Sequence, residues 1–274
     1  MIAESVLVLY TMNSLSQNLQ RLTPARLFGG LRRRAALVNA FTAASRGFLA
    51  FRGHRPARFR LRMGDVRLYL RDATSSKSYD RHYVLHTAWA ARVLSESRPT
   101  RHVDVASSLQ FVAGVSAFVP TLALDIRPAE LGLSGLQYQR GSLTALPFES
   151  ESLESVSCMH VLEHVGLGRY GDPLDYDGDL KAFAELARVI APGGQLIVVV
   201  PICGEPRIEF NAHRIYSFGQ VMAMALASGL QLVEFALIPD DGSEETLIRH
   251  ASPKLADLQR YGCGCFLLRR GQPS

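Results

Sequence analysis

From residue 102 onward the chain alternates short apolar runs with helical stretches, and this rhythm restricts its fold more than any other feature. The runs are "HVDVAS", "TLALDI", "LQYQRG" and "SVSCMH", then the helical "DLKAFAELARVI", then "QLIVVVP", "LQLVEFAL" and "GCFLLRR". Apolar runs spaced by helices belong to a doubly wound, mostly parallel α/β sheet covered on both faces. The helix from Asp179 is predicted to bury Leu180, Phe183, Ala184, Ala187 and Ile190 on one face, with Pro192-Gly193-Gly194 breaking the chain before the next strand.

The first part of the chain is of another kind. Residues 1–102 carry seventeen arginines and one lysine against five acids, a net charge of +13, whereas the remainder carries −8. Two domains are therefore expected: a basic, helical N-terminal extension over 1–77 and an α/β domain over 78–274. Leu37, Phe41 and Phe48 recur at roughly helical spacing, so this helix is expected to cover a neighbouring core or to lie on a membrane surface as a peripheral contact. Alternation at Phe59, Leu61, Met63 and Val66, Leu68, Leu70 suggests extended segments. Leu85, Trp89 and Val93 then share one face of a helix that "SRPT" ends. No nucleic-acid-binding motif accompanies the charge, so a nucleic-acid partner is not expected. No run approaches the roughly 20 apolar residues of a transmembrane helix, and the start lacks the basic end of a secretory signal, which makes a cytoplasmic protein the expectation. The four cysteines are read as reduced thiols; "CGC" at 263–265 has the residues to bind a metal but, with no second Cys/His pair nearby, reads as a plain strand.

Ligands of doubly wound sheets bind beyond the carboxyl ends of the strands. Asp125 closes the second run 21 residues after Asp104, the distance at which an acid accepts hydrogen bonds from both ribose hydroxyls of a nucleoside. Together with "VDVASS", "GSLTALPF", "CMHVLEH" and "ARVIAPGGQLIVVVP", this order resembles a class I S-adenosylmethionine-dependent methyltransferase. The resemblance implies S-adenosyl-L-methionine as cofactor, held by Asp104, Ala106, Ser107, Ser108, Asp125, Ser142, Leu143 and His160. Two positions depart from the pattern. Ala106-Ser107-Ser108 replaces the usual glycine loop, where β-carbons narrow the pocket although the serine hydroxyls can bond the methionine carboxylate, and Ser142 replaces an aspartate.

"HYVLHTAWAARVL", "LDIRP", "SCMHVLEHVGLGRYGDPLDYDG" and "FNAHRIYS" also resemble a domain family of unknown function found in nematodes and in bacteria, there often beside surface-polysaccharide genes. That resemblance marks residues 160–175 as a shared functional loop. His164 is the candidate general base, with His213 beside it; a structural role for either remains open. Glu163, Arg169, Tyr170, Asp172, Asn211 and Arg214 are expected to face the acceptor, and the long glycine-rich segment Gly166–Asp177 to form a lid. Asp172, Asp175 and Asp177 lack the remaining positions of a calcium loop and read as helix-capping acids. No catalytic metal is expected, because the candidate ligands lie on separate strand ends with no compact pair. The resulting expectation is O-methylation of a sugar, nucleotide-sugar or other small polar acceptor. The alternatives are a non-catalytic scaffold in polysaccharide assembly and a metal-assisted enzyme using His160, His164 and His213.

Overall fold

The computed structural model describes residues 24–53, 63, 66, 67, 70, 79–129, 131–240 and 245–272. The chain divides into two compact units, Met1–Ser78 and Tyr79–Ser274. In the first unit, α1 spans Pro24–Gly53. Leu37, Ala40, Ala44 and Phe48 are half-buried along one stripe of it, while Val38, Phe41, Leu49 and Phe51 are exposed, so Phe41 lies off the face expected for it. The expected helix over residues 1–23 and most of the extended segments at 59–70 lie outside the described residues. No helix among the described residues is long and apolar enough to cross a membrane.

The second unit opens with α2, Arg81–Ser97. The Asp80 side chain caps its start by accepting the Tyr83 amide, and Arg98, at φ 47°, turns the chain out of it. There follow β1 (His102–Val105), α3 (Leu109–Val115), β2 (Thr121–Asp125), β3 (Leu136–Arg140) and β4 (Leu153–Met159). A 3-10 turn at Leu162–His164 leads to α4 (Gly178–Val189) and β5 (Ile190–Ile202). A small hairpin, β6 (Arg207–Glu209) and β7 (His213–Ile215), precedes α5 (Phe218–Ala227), β8 (Leu230–Ile238), α6 (Pro253–Asp257) and β9 (Gly262–Arg270).

The main sheet has the order β3-β2-β1-β4-β5-β9-β8. Its strands are parallel except β9, which lies antiparallel between β5 and β8. The order reverses between β1 and β4, and this opens a crevice at their carboxyl ends. Alternation along each strand divides the core between the faces. Leu196, Val198 and Val200 of β5 pack with Phe183, Leu186 and Val221 of α4 and α5, while Ile197 and Val199 face the layer of Trp89, Val93 and Phe111 from α2 and α3.

Two details differ from the sequence-based expectation. The buried face of α4 carries Asp179, Ala182, Phe183, Leu186 and Ala187, whereas Leu180 and Ala184 are exposed. The helix offers apolar residues on two adjoining stripes, and only the one centred on Phe183 and Leu186 meets the sheet. Pro192-Gly193-Gly194 lies inside β5, where it takes up a register jump from the pair Leu153–Ile190 to Ser155–Gln195. All four cysteines are buried free thiols, as expected.

Trp89 anchors α2. It is fully buried, and its Nε1 donates to Glu234 Oε1 (3.1 Å), a carboxylate that Arg249 also binds through Nε (2.8 Å) and Nη2 (2.6 Å). Replacing Trp89 by Ala empties a core position and removes one donor from a buried carboxylate. Urea denaturation of Trp89→Ala is expected to show a stability loss of about 3–5 kcal/mol with an unchanged m-value.

Candidate functional site

The site rests on a buried line of hydrogen bonds. Gln195 Nε2 donates to Ser97 Oγ (2.8 Å) and to Ser155 Oγ (3.1 Å); Ser155 Oγ meets His102 Nδ1 and Ser157 Oγ meets His102 Nε2, both at 2.9 Å. The Ser157 hydroxyl then donates to Asp104 Oδ2, and Asp104 Oδ1 accepts the Ser107 amide (3.0 Å). One assignment of protons satisfies every link, with Ser155 donating to Nδ1 and Nε2–H donating to Ser157. Burial lowers His102 to about 3 and keeps the ring neutral. Burial also raises Asp104 to about 6, against the opposing bonds from Ser107 and Ser157. Asp104 is therefore a buried anchor beneath the loop after β1, and it does not line the cavity above.

That loop turns at Ala106, whose φ is 58°. The left-handed conformation normally assigned to a glycine is thus present here in an alanine. Ser107 Oγ accepts the Met159 amide (3.2 Å) and Ser108 Oγ accepts the Phe111 amide (3.3 Å) as the cap of α3. Above the loop lies a cavity of about 580 Å³, within the usual range for small-molecule sites. Ala106, Ser107, Ser108, Asp125, Ser142 and Leu143 line it at the ends of β1, β2 and β3, and His160, His164, Tyr170 and Asp172 line it from the side of β4. The β-carbons of the altered loop leave this space open. Asp125 Oδ1 accepts the Arg127 amide (2.7 Å), which fixes the carboxylate at the strand end. Tyr83, Arg127, Thr144 and Lys181 also line the cavity and were missed in the sequence. Tyr83, Arg127 and Thr144 lie within the quoted motifs "HYVLHTAWAARVL", "LDIRP" and "GSLTALPF" without having been singled out, and Tyr83 and Lys181 sit on helices brought in by folding.

His164 occupies the 3-10 turn. Its Nδ1 lies 2.7 Å from the Ala212 carbonyl, which identifies Nδ1 as the protonated nitrogen and leaves Nε2 with a lone pair, 3.9 Å from Glu163 Oε1. Burial lowers its pKa, against the nearby Glu163 charge. Glu163 is itself buried and does not line the cavity. Its Oε1 meets His160 Nδ1 at 2.9 Å, while Oε2 has no hydrogen-bond partner. Burial disfavours the charged form of His160, but Cys263 and Glu163 outweigh it and raise this histidine to about 10.

Several residues expected to face an acceptor instead build the surrounding frame. Asp172 accepts the amides of Gly166 (2.7 Å) and Tyr170 (3.3 Å); burial opposes its ionisation, but these amides hold the carboxyl below the usual range. Arg214 is buried, and its guanidinium donates to the carbonyls of Val165 (2.6 Å), Tyr176 (2.9 Å) and Asp175 (3.3 Å) and lies 3.4 Å from Asp179. Arg169 donates to the Ala212 carbonyl (2.9 Å). Asn211 is exposed in the β6–β7 turn and does not line the cavity. His213 sits behind His164, ring centroids 6.2 Å apart, with Nε2 at 3.4 Å from Glu209, an ion-pair distance without hydrogen-bond geometry. Asp177 is the N-cap residue of α4, but its side chain makes no cap bond; Asp175 accepts the Asp177 amide (3.1 Å) and pairs with Lys181.

A grouping of metal-ligand atoms that the sequence reading did not anticipate lies beside the cavity residue His160. One ligand atom each of His82, His160 and Cys263 lies within 4.8 Å of the others. His82 was not a candidate, and "CGC" was set aside for want of a second Cys/His pair, because nothing in the sequence brings positions 82, 160 and 263 together.

Residues 147–251 match a family described as "Caenorhabditis protein of unknown function, DUF268". No curated protein matches the chain. Among solved structures, a Burkholderia thailandensis 1,6-didemethyltoxoflavin-N1-methyltransferase, with bound 1,6-didemethyltoxoflavin and S-adenosylhomocysteine, is 13% identical. The alignment covers 69% of this chain and 79% of that one, at a TM-score of 0.51. The N-methyltransferase NodS from Bradyrhizobium japonicum WM9, in complex with S-adenosyl-L-homocysteine, is 14% identical over 71% of this chain and 89% of that one, at a TM-score of 0.47. The fold is that of the class I S-adenosylmethionine-dependent methyltransferases, with the sheet order described above.

Arg214 fastens the segment after the 3-10 turn to the hairpin. In Arg214→Ala, three carbonyls each lose a hydrogen bond and the buried Asp179 loses its ion-pair partner, so a stability loss of about 3–5 kcal/mol is expected. Amide exchange in 165–177 should accelerate more than in β4, and hydrogen-exchange mass spectrometry resolves the two segments.

Proposed function

We propose that the protein is an S-adenosylmethionine-dependent methyltransferase acting on a hydroxyl of a small polar acceptor, a sugar or nucleotide-sugar of glycan synthesis being the class favoured. The observation that carries this reading is a cavity lined together by Asp125, by Ala106 at its left-handed turn and by His164, whose Nε2 keeps a lone pair. The residues fit the cofactor. Asp125 would accept the ribose hydroxyls, Ser142 and Leu143 would flank the base, and the 106–108 loop, with the Ser108 hydroxyl hydrogen still to donate, would hold the amino-acid end. When bound, S-adenosylmethionine supplies an electrophilic methyl group.

The chain's own part is positioning and proton transfer. His164 Nε2 takes the proton from the acceptor hydroxyl as its oxygen becomes an ether oxygen, and the Glu163 carboxylate at 3.9 Å stabilises the imidazolium that forms. Thr144, Tyr170 and Lys181 offer hydrogen-bonding groups to acceptor hydroxyls. The glycan setting is supported by the sequence resemblance to a bacterial family often found beside surface-polysaccharide genes.

Calorimetry with S-adenosylmethionine and S-adenosylhomocysteine tests the cofactor. Binding is expected for the wild type, and Asp125→Ala should weaken it at least about tenfold, because charge-assisted hydrogen bonds contribute about 1.5–3 kcal/mol each. No heat with either ligand at millimolar concentration would sink this reading.

A second expectation concerns pH. The pKa of His164 is lowered by burial, so the base is protonated and inactive only below its ordinary value of 6.5. With a methyl acceptor in hand, kcat/KM should rise with pH through a pKa below 6.5 and stay level above it. His164→Gln should reduce kcat by about 10²–10⁴-fold and abolish that acid limb. An unchanged limb in the variant would assign the base elsewhere.

A further inference from the structure

His82 stands in the first turn of α2, His160 in the turn after β4, and Cys263 near the start of β9. They are remote in sequence, yet one ligand atom from each lies within 4.8 Å of the others, and His160 Nε2 is 3.5 Å from Cys263 Sγ. In a tetrahedral zinc site, nitrogen and thiolate ligand atoms lie about 3.4–3.6 Å apart, as metal–ligand bonds of about 2.0–2.3 Å require. The His160–Cys263 edge already has that length. A modest movement of His82, a half-buried side chain at a helix start, closes the other two edges.

Two further observations point to the same place. His160 has φ 55°, a left-handed conformation that non-glycine residues rarely adopt and that persists where the surroundings require a side chain in one direction. Its other ring nitrogen, Nδ1, lies 2.9 Å from the buried carboxylate of Glu163. A carboxylate behind the imidazole is the arrangement that orients metal-bound histidines and raises their basicity.

We propose that His82, His160 and Cys263 form a three-ligand site for a soft divalent ion of the zinc type. Two imidazoles and a thiolate favour zinc over magnesium or calcium, which take oxygen ligands. The ion enters as Cys263 gives up its thiol proton and His160 its imidazolium proton to solvent, so that both imidazoles bind as neutral donors. It ties the start of α2 to β9 and to the turn carrying the 3-10 segment, and three protein ligands leave its fourth position open. The site stands independently of the methyl-transfer reading.

The test uses reduced, chelator-treated full-length protein titrated with cobalt(II), with zinc(II) as competitor. One equivalent of cobalt should bind and give the near-ultraviolet thiolate-to-cobalt charge-transfer band, and zinc should displace it. Cys263→Ser should lose the band, while His82→Gln should weaken cobalt binding at least about tenfold. A wild type without a thiolate band at saturating cobalt overturns the proposal, as does a band that survives in Cys263→Ser. If Cys263→Ser does not fold, His82→Gln decides, and unchanged affinity in that variant overturns the proposal. Calorimetry with S-adenosylmethionine is read separately, so failure of one reading leaves the other standing.

Discussion

The structure depends on keeping Asp104 satisfied at the centre of a dry sheet. A buried carboxylate is costly unless it receives hydrogen bonds, and here Ser157 and the Ser107 amide supply them. Because the Ser157 hydroxyl gives its proton to Asp104, it must accept one from His102, which must in turn accept one from Ser155. Each choice forces the next across β1, β4 and β5. The loop above inherits this determinacy: the Ser107 amide is drawn down to Asp104, and the chain passes through a left-handed turn at Ala106. A methyl group can occupy that turn because the network below holds the backbone there.

The opposite wall of the cavity is fixed by different means. The segment after the 3-10 turn contains several glycines and no regular secondary structure, with Val165 and Leu167 as its apolar contacts. Its shape comes from Asp172, which gathers amides, and Arg214, which gathers carbonyls. A carboxylate and a guanidinium thus do for an irregular segment what the ladder does for a strand, satisfying the backbone where no regular partner exists.

Much of this was legible in the sequence. Strand ends can be read from apolar runs, so Asp125, the 106–108 loop and His164 emerged as cavity residues. The antiparallel placement of β9 was not, since "GCFLLRR" reads alike in either direction. Arg214 was taken for an acceptor contact because charged residues near a dense polar loop look alike whether they meet a ligand or the backbone, and only the carbonyls within its reach distinguish the two; Asp172 lines the cavity while also binding the backbone. The face of α4 was misplaced by one stripe, at Leu180 and Ala184, because the helix has more apolar residues than the sheet can cover. Cys263 offered a metal reading only within "CGC", and His82 none at all, since their proximity to His160 is purely a product of topology.

The Ala212 carbonyl has a consequence of its own. It lies in the hairpin turn and serves both the His164 ring and the Arg169 guanidinium, so the hairpin decides which ring nitrogen of His164 carries the hydrogen. If the hairpin withdrew, the ring would lose its reference point and distribute its proton between both nitrogens. The electronic identity of the imidazole is therefore written from outside the cavity, by a backbone atom about fifty positions downstream, and a change in the bend of that turn reaches the proton without touching the ring.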